Sequence, residues 1–131
     1  MADKDIDIQN KVQLFNDKKI RSVWNSEEEQ WYFSVIDVIA VLTDSVNPRD
    51  YWFKMKKRVR SEDGIELSTI CRQLKMQAPD GKMRETDAAN TEALLRIIQS
   101  VPSKKAEPFK MWLAKVGSEA LDEAVDPELS I

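Results

Sequence analysis

Hydrophobic residues in the first third of the chain follow a pattern typical of short β-strands. Apolar positions between 12 and 15 and between 20 and 24 flank the pair Asn16-Asp17, which favours a turn. A polar loop at 25–29 then leads to the apolar run Trp31-Tyr32-Phe33. The pattern predicts a hairpin that is followed by a third strand.

Two helices are predicted next. Ser34 can cap the first, and Asp37 lies three residues later, in the reciprocal position of a capping box. Because the segment 35–42 has almost no polar face, we expect this helix to be largely buried. The pair Asn47-Pro48 marks the start of the second helix, which we expect to run to about Arg60.

The second predicted helix has an apolar stripe and a basic face. The stripe, which we expect to pack in the core, is formed by Tyr51, Trp52, Met55 and Val59. The opposite face carries Lys54, Lys57 and Arg58, with Lys56 and Arg60 at its flanks. Like charges this close repel each other by a few tenths of a kcal/mol per pair. The basic face is either a solvated helix surface or a surface whose repulsion a bound polyanion relieves.

Residues 61–88 are expected to contain a β-hairpin. The segment 67–74 could form a strand, and the sequence Pro79-Asp80-Gly81-Lys82 is typical of a turn. Four cations are expected to cluster around the hairpin tip: Arg72, Lys75, Lys82 and Arg84. Such a ribbon could act as a wing in a DNA groove, although polar hairpin tips also serve solubility alone.

Helices are predicted for the last third of the chain. Asp87 or Asn90 opens one helix, and Ser103 caps the next, for which Gly117 supplies the C-terminal cap. A short acidic helix is expected from Glu119 to Val125.

Charge is distributed unevenly along the chain. Residues 1–48 hold five Lys/Arg against nine Asp/Glu, residues 49–116 hold fifteen against nine, and residues 117–131 hold none against five. A basic segment in an acidic protein is expected of an anion-binding face, and nucleic acid is the commonest polyanion. Lys104 and Lys105 fall in the first turn of a predicted helix, where the helix dipole disfavours cations, which points to function rather than stability.

Composition restricts the classes of function. The 131 residues, 42% hydrophobic and 33% charged, suit one soluble globular domain. The absence of histidine and the single cysteine, Cys71, exclude Cys/His zinc sites, internal disulfides and nucleophile–histidine catalysis. We therefore expect no enzyme activity, no metal and no cofactor. The sequence has no apolar run of membrane-spanning length and no secretory signal at its start, so we expect a cytoplasmic protein without membrane contact.

Two further interpretations carry less weight. Trp24, Trp31 and Tyr32 could stack on single-stranded bases, but aromatic residues at alternating strand positions are more often core. A metal-dependent nuclease is disfavoured because Glu107 and Lys110 are separated by two residues rather than the one that an Asp/Glu-x-Lys motif has.

With these segments placed, the sequence resembles the BRO N-terminal domain, which occurs in baculovirus repeated proteins, phage antirepressors and bacterial DNA-damage-inducible D-type proteins. The residues that carry the resemblance are Lys19-Ile20-Arg21, the run 31–38 (WYFSVIDV), Tyr51-Trp52 through to Arg58, Asp80-Gly81-Lys82, the run 95–103 (LRIIQSVPS) and the run 106–113 (AEPFKMWL). The stretch around Gln99 to Ser103 and the helix that follows resemble the bacterial and prophage branch in particular.

The resemblance implies an α+β fold without a catalytic centre, which serves transcription regulation, prophage or DNA-damage responses. With the elements above, we expect a small antiparallel sheet packed with about four to five helices. The domain would cover residues 12–125, preceded by a flexible arm at 1–11 and followed at 126–131 by a tail that begins a linker to a further segment.

The main hypothesis for function is a DNA-binding domain, with double-stranded DNA as the expected ligand. The alternative is a protein-interaction module that binds a repressor or another regulator, and a homodimer would suit DNA readout. The residues expected to contact DNA phosphates are Lys54, Lys57, Arg58, Arg72, Lys75, Lys82, Arg84, Lys104 and Lys105.

Overall fold

The computed structural model describes the backbone of residues 8–125 and the side chains of residues 12–116. The strands are β1 (Ile8–Phe15), β2 (Lys18–Asn25), β3 (Gln30–Ser34), β4 (Arg72–Gln77) and β5 (Met83–Asn90). The α-helices are α1 (Val35–Thr43), α2 (Pro48–Asp63), α3 (Thr91–Gln99) and α4 (Ala106–Val125), and Leu67–Ile70 form a 3₁₀ turn. The predicted α+β class is confirmed.

The five strands form one antiparallel sheet in the order β1-β2-β3-β5-β4. The turn between β1 and β2 is tight because Asn16 and Asp17 both adopt positive φ angles, 50° and 66°, as hairpin turns of the primed types require. In the second hairpin, Gly81 has φ 88°, and the amide of Ala78 donates to the carbonyl of Lys82 at 2.7 Å. Both predicted hairpins are therefore confirmed.

The helices cover one face of the sheet and bury the main hydrophobic core there. Phe33 on β3, Ile39 on α1 and Leu94 on α3 are fully buried in this core. Phe109 of α4 packs edge-on against Phe15 of β1, with ring centroids 5.1 Å apart. The predicted core stripe of α2 also lies here, since its residues Trp52, Met55 and Val59 are buried and Tyr51 is half-buried against them.

On the opposite face of the sheet, β4 approaches β2, although β3 and β5 lie between them in the strand order. Val23 of β2, Tyr32 of β3, Met76 of β4 and Ala88 of β5 form a second, smaller cluster of buried side chains on this face. The guanidinium of Arg21 on β2 spans the gap and donates to the carbonyl of Gln77 on β4 at 3.1 Å. These contacts fix the position of the β4–β5 hairpin against the first three strands.

Helix α1 begins as predicted, but its capping acid has another partner. The hydroxyl oxygen of Ser34 accepts the backbone N–H of Asp37 at 3.3 Å. The carboxylate of Asp37 accepts three hydrogen bonds from Arg21, from its backbone N–H at 2.9 Å, from Nε at 2.8 Å and from Nη2 at 3.0 Å. The acid therefore ties α1 to β2 instead of completing a capping box.

Helix α2 starts at its predicted cap, since the side-chain oxygen of Asn47 accepts the N–H of Asp50 at 3.1 Å. It ends at Asp63, three residues beyond the predicted end at Arg60, because the next residue, Gly64, adopts the left-handed conformation with φ 72°. Helix α3 is capped by Asn90, whose side chain accepts the N–H of Ala93, and not by Asp87, which lies within β5.

Further boundaries also differ from the sequence predictions. The segment 67–74 is not one strand, because residues 67–70 form a 3₁₀ turn and β4 begins only at Arg72. Gly117 does not end a helix, since α4 continues through it to Val125 and absorbs the short acidic helix expected there. Glycine in a helix interior costs about 1 kcal/mol but does not by itself break the helix. Finally, residues 8–11 of the expected flexible arm pair with β2.

The remaining parts of the predicted arm and tail, 1–7 and 126–131, lie outside the described residues. Among the described helices, no segment combines the length and the apolar character that crossing a bilayer requires.

Candidate nucleic-acid interface

The basic face of α2 is exposed, but its three central cations have different surroundings. Lys54 lies 3.2 Å from Asp50, one turn earlier, in a pair that is open to solvent and therefore weak. Arg58 donates through Nη2 to the carbonyl of Ser100 at 2.8 Å, close to the end of α3. Lys57 has no carboxylate partner among the described side chains, and its ammonium lies 4.5 Å from the ring centre of Phe53. Lys57 is thus the most available of the three cations.

The flanking cations of α2 bind neighbouring elements. The ammonium of Lys56 lies 3.6 Å from the carboxylate of Asp87 on β5 and 5.2 Å from the Trp52 ring. Asp87 also accepts the indole N–H of Trp52 at 2.7 Å and an amide N–H of Gln73 on β4. Asp87 therefore joins α2 to the β4–β5 hairpin and brings the two predicted DNA-contacting elements side by side.

The hairpin places Lys75 and Lys82 at its exposed surface. Lys75 lies opposite Glu85 in the strand register, and Lys82 follows Gly81 in the turn. Arg84 lies 2.5 Å from Asp80, and this hydrogen bond lowers the pKa of the Asp80 carboxyl. The tip is therefore basic, with one of its cations neutralised locally.

Arg72 is not at the hairpin tip, in contrast to the prediction. It pairs in register with Ala88 at the opposite end of β4, where its guanidinium lies 2.8 Å from Glu28 and 4.8 Å from the Tyr32 ring centre. The phenol of Tyr32 donates to the same Glu28 at 2.5 Å. Hydrogen bonds from Tyr32 and Arg72 lower the pKa of Glu28. Arg72 therefore belongs to a solvent-exposed cluster with Glu28, beside Tyr32 and away from the tip.

Lys105 also has an internal role that its sequence position does not reveal. Helix α4 begins one residue later, at Ala106, and the ammonium of Lys105 lies 2.8 Å from Asp44 and 3.3 Å from the carbonyl of Val41. The lysine thus lies at the C-terminus of α1, where the helix dipole favours a cation. Its hydrogen bond and its charge lower the pKa of Asp44. The sequence predicts Lys105 in the first turn of a helix, but the lysine precedes that helix and pairs with the end of α1 instead. Lys104 is exposed.

Two residues on the edge of α2 nearest the hairpin were missed by the sequence reasoning. Arg49 and Phe53 line a shallow depression between α2 and the strands β4 and β5. Phe53 is 53% exposed, and the ammonium of Lys57 lies 4.5 Å from its ring centre. The helical spacing of Phe53 from Lys56 and Lys57 was the available signal in the sequence.

The aromatic residues considered for base stacking lie in the core instead. Trp31 and Tyr32 are buried, and Trp24 is half-buried with its ring centre 5.4 Å from that of Trp31. Cys71 is half-buried as well, and burial raises the pKa of its thiol to about 12, so it is not a reactive thiolate at neutral pH. Within residues 12–116, no group of three or more Cys, Asp or Glu side chains is arranged to hold a metal ion.

A family model for the N-terminal domain of the BRO family matches residues 19–122, which is most of the chain. The chain belongs to the BRO family. The resemblance carried by the motifs around Asp37, Gln99 and Trp112 is thereby confirmed. No curated protein and no solved structure shows significant similarity to this BRO domain. Membership of the family is consistent with a regulatory domain of the phage antirepressor type.

Proposed function

We propose that this BRO domain is a non-catalytic DNA-binding module of the prophage antirepressor or DNA-damage-response type. It contacts phosphates through the basic face of α2 and through the β4–β5 hairpin. The observation that carries the proposal is the contact between these two basic elements through Asp87. The contact supports the proposal because it places the strands that carry the hairpin cations next to the basic helix.

The cations that support the proposal most directly are those without internal carboxylate partners among the described side chains, namely Lys57, Lys75, Lys82 and Lys104. Lys54 and Arg58 support it in part, since each also has a local partner. The weakest of the nine predicted contacts are Arg72, Arg84 and Lys105, because the charge of each is already paired with a carboxylate. Double-stranded DNA as the ligand and a homodimer as the binding form remain predictions.

The test is a fluorescence anisotropy titration of a labelled DNA duplex at several salt concentrations. Each phosphate contact contributes about 0.9 to the slope of log affinity against log salt, so replacing Lys54, Lys57 and Arg58 by Ala should flatten this slope by up to about 2.7. The matched control replaces Lys19, Arg96 and Lys115, three exposed cations on β2, α3 and α4, by Ala. Equal effects of both sets, or an unchanged slope in the folded triple variant, would refute the assignment to α2.

A second candidate function, recognition of a repressor or another regulatory protein, is favoured by a groove beside α2. The groove has a volume of about 560 Å³, and its largely apolar lining includes Val46, Tyr51 and Met55. Lys54 and Arg58 also line it, so an acidic and apolar segment of a partner would fit its chemistry. A folded chain that binds no DNA at low salt would make this function the preferred one.

A further inference from the structure

Phe53 is an exposed aromatic side chain on an otherwise basic edge of α2. A single exposed apolar residue is ordinary on a protein surface. Arg49, Lys56, Lys57 and Arg60, however, lie four, three, four and seven residues from Phe53, so helical geometry places all of them on the same side. The outermost of these, Arg49 and Arg60, are about 16 Å apart along the helix at 1.5 Å per residue.

Two shallow depressions of about 170 Å³ each border the Phe53 side chain. The first is lined by Lys56, Lys57, Arg60, Glu66 and Ser68, and the second by residues that include Arg49, Gln73, Glu85 and Asp87. Phe53 and Lys56 line both depressions. The two depressions therefore adjoin at these two side chains.

The two depressions differ in charge. In the first, Lys57 has no described carboxylate partner, and Arg60 lies 3.5 Å from Glu66 in a pair that is well exposed to solvent. A surplus of positive charge thus remains there for a phosphate. In the second, Asp87 already holds Lys56 and Trp52, and Glu85 adds an exposed carboxylate, which disfavours a phosphate. That side of the ring suits an uncharged polar group.

We propose that the Phe53 ring stacks on an unpaired nucleobase while Lys57 and Arg60 hold a neighbouring phosphate. This inference rests on the proposed DNA-binding function and adds to it a contact that duplex DNA cannot make without opening. An aromatic face beside a row of cations is the arrangement by which proteins bind single strands, because every base has a face on which a ring can stack. The ammonium of Lys57 lies over one face of the ring, 4.5 Å from its centre, which keeps the phosphate site next to the ring, so the base would stack on the opposite face.

The experiment compares binding of the full chain to three labelled ligands by fluorescence anisotropy: oligothymidylate, an abasic strand of the same length and a duplex. We expect Phe53→Leu to weaken oligothymidylate binding about tenfold, within the range measured for the loss of one stacked base. Binding of the abasic strand should not change, because its phosphates remain. Phe53→Trp should retain the affinity of the parent, since it keeps an aromatic face.

The matched control is Met111→Ala, which removes another exposed apolar side chain, on α4, and should leave all three affinities unchanged. Equal losses on the abasic strand and oligothymidylate, or no loss on either, would overturn the stacking assignment while the proposed function stands. Equal affinity of the parent chain for the two single strands would overturn it as well. Failure of the parent chain to bind any of the three ligands would overturn both proposals. Circular dichroism of each variant confirms that it is folded.

Discussion

The contact between Arg21 and Asp37 provides the sharpest test of how the sheet and α1 are held together. Asp37 accepts three hydrogen bonds from Arg21, and the guanidinium also bonds Ser34 at 3.2 Å and the carbonyl of Gln77. One arginine thus joins β2, the start of α1 and the end of β4. The perturbations are Asp37→Ala, Arg21→Met and the two together.

The expected loss of unfolding free energy follows from the burial of the two side chains and from the number of hydrogen bonds between them. The two side chains are 24% and 19% exposed, so solvent screens the pair only in part. A hydrogen bond to a charged group contributes about 1.5–3 kcal/mol net, and loss of one partner also leaves the other charge desolvated. We expect Asp37→Ala to lower the free energy of unfolding by about 3 kcal/mol, within the range of a lost charged hydrogen-bond network. The coupling energy between the two substitutions should be about 2 kcal/mol.

The assay is urea unfolding at pH 7, followed by tryptophan fluorescence, for the parent chain and the three variants. The control is the corresponding cycle on Arg84 and Asp80, whose pair is far more exposed at 58% and 47% and should couple much more weakly. Additive effects of the Arg21 and Asp37 substitutions would show that the pair does not hold the elements together, whatever its geometry.

Three further predictions test individual features. Gly117→Ala should raise the free energy of unfolding by about 1 kcal/mol because α4 runs through this residue. Gly64→Ala should lower it by about 1–2 kcal/mol because alanine is strained at φ 72°. Chemical denaturation measures both, and a Gly117→Ala variant less stable than the parent would show that Gly117 does end the helix, as the sequence predicts. Burial, and to a lesser extent the hydrogen bond to the Glu28 carboxylate, raises the pKa of Tyr32 to about 12. The folded chain therefore keeps a proton that the unfolded chain releases near pH 10, so the free energy of unfolding should fall as the pH rises from 10 to 12. An ultraviolet titration in a variant that lacks the other tyrosine checks this, and ionisation near pH 10 would contradict it. Lys105→Ala should lower the melting temperature with little effect on DNA affinity, because its ammonium pairs with Asp44. Lys104→Ala should instead weaken DNA binding with little effect on the melting temperature, because Lys104 is exposed. A larger loss of DNA affinity for Lys105→Ala than for Lys104→Ala would show that Lys105 contacts DNA.

Features set by neighbouring residues could be predicted from the sequence. The turn at Asn16-Asp17 and the caps at Ser34 and Asn47 depend on side chains within three residues of the backbone groups that they satisfy. The apolar stripe of α2 likewise follows from helical spacing alone. These features hold because each is decided by chemistry within a turn or two of the chain.

Features that depend on distant residues could not be predicted in this way. Asp44, the partner of Lys105, is 61 positions away, and Glu28, the partner of Arg72, is on a loop between two other strands. Counting charges along the sequence therefore treats both cations as available for a ligand. The exposure of Phe53 could have been predicted from helical spacing, because Phe53 lies on the side of Lys57 and not on the core stripe. Its position beside the β4–β5 hairpin, by contrast, depends on distant residues.

The pairing of β3 with β5 also determines the order in which this chain is expected to fold. It consists of the pairs Tyr32–Asn90, Phe33–Ala89 and Ser34–Ala88, which join residues more than fifty positions apart, whereas the other strand pairs are local hairpins. Local hairpins form in about 1–10 μs, but distant strands meet only after a large loss of chain entropy. The bonds Arg21–Gln77 and Arg72–Glu28 both cross this junction and so should form late. Removing Arg72 should therefore speed unfolding while leaving the folding rate nearly unchanged, and stopped-flow kinetics in urea would show this as a shift of the unfolding arm alone.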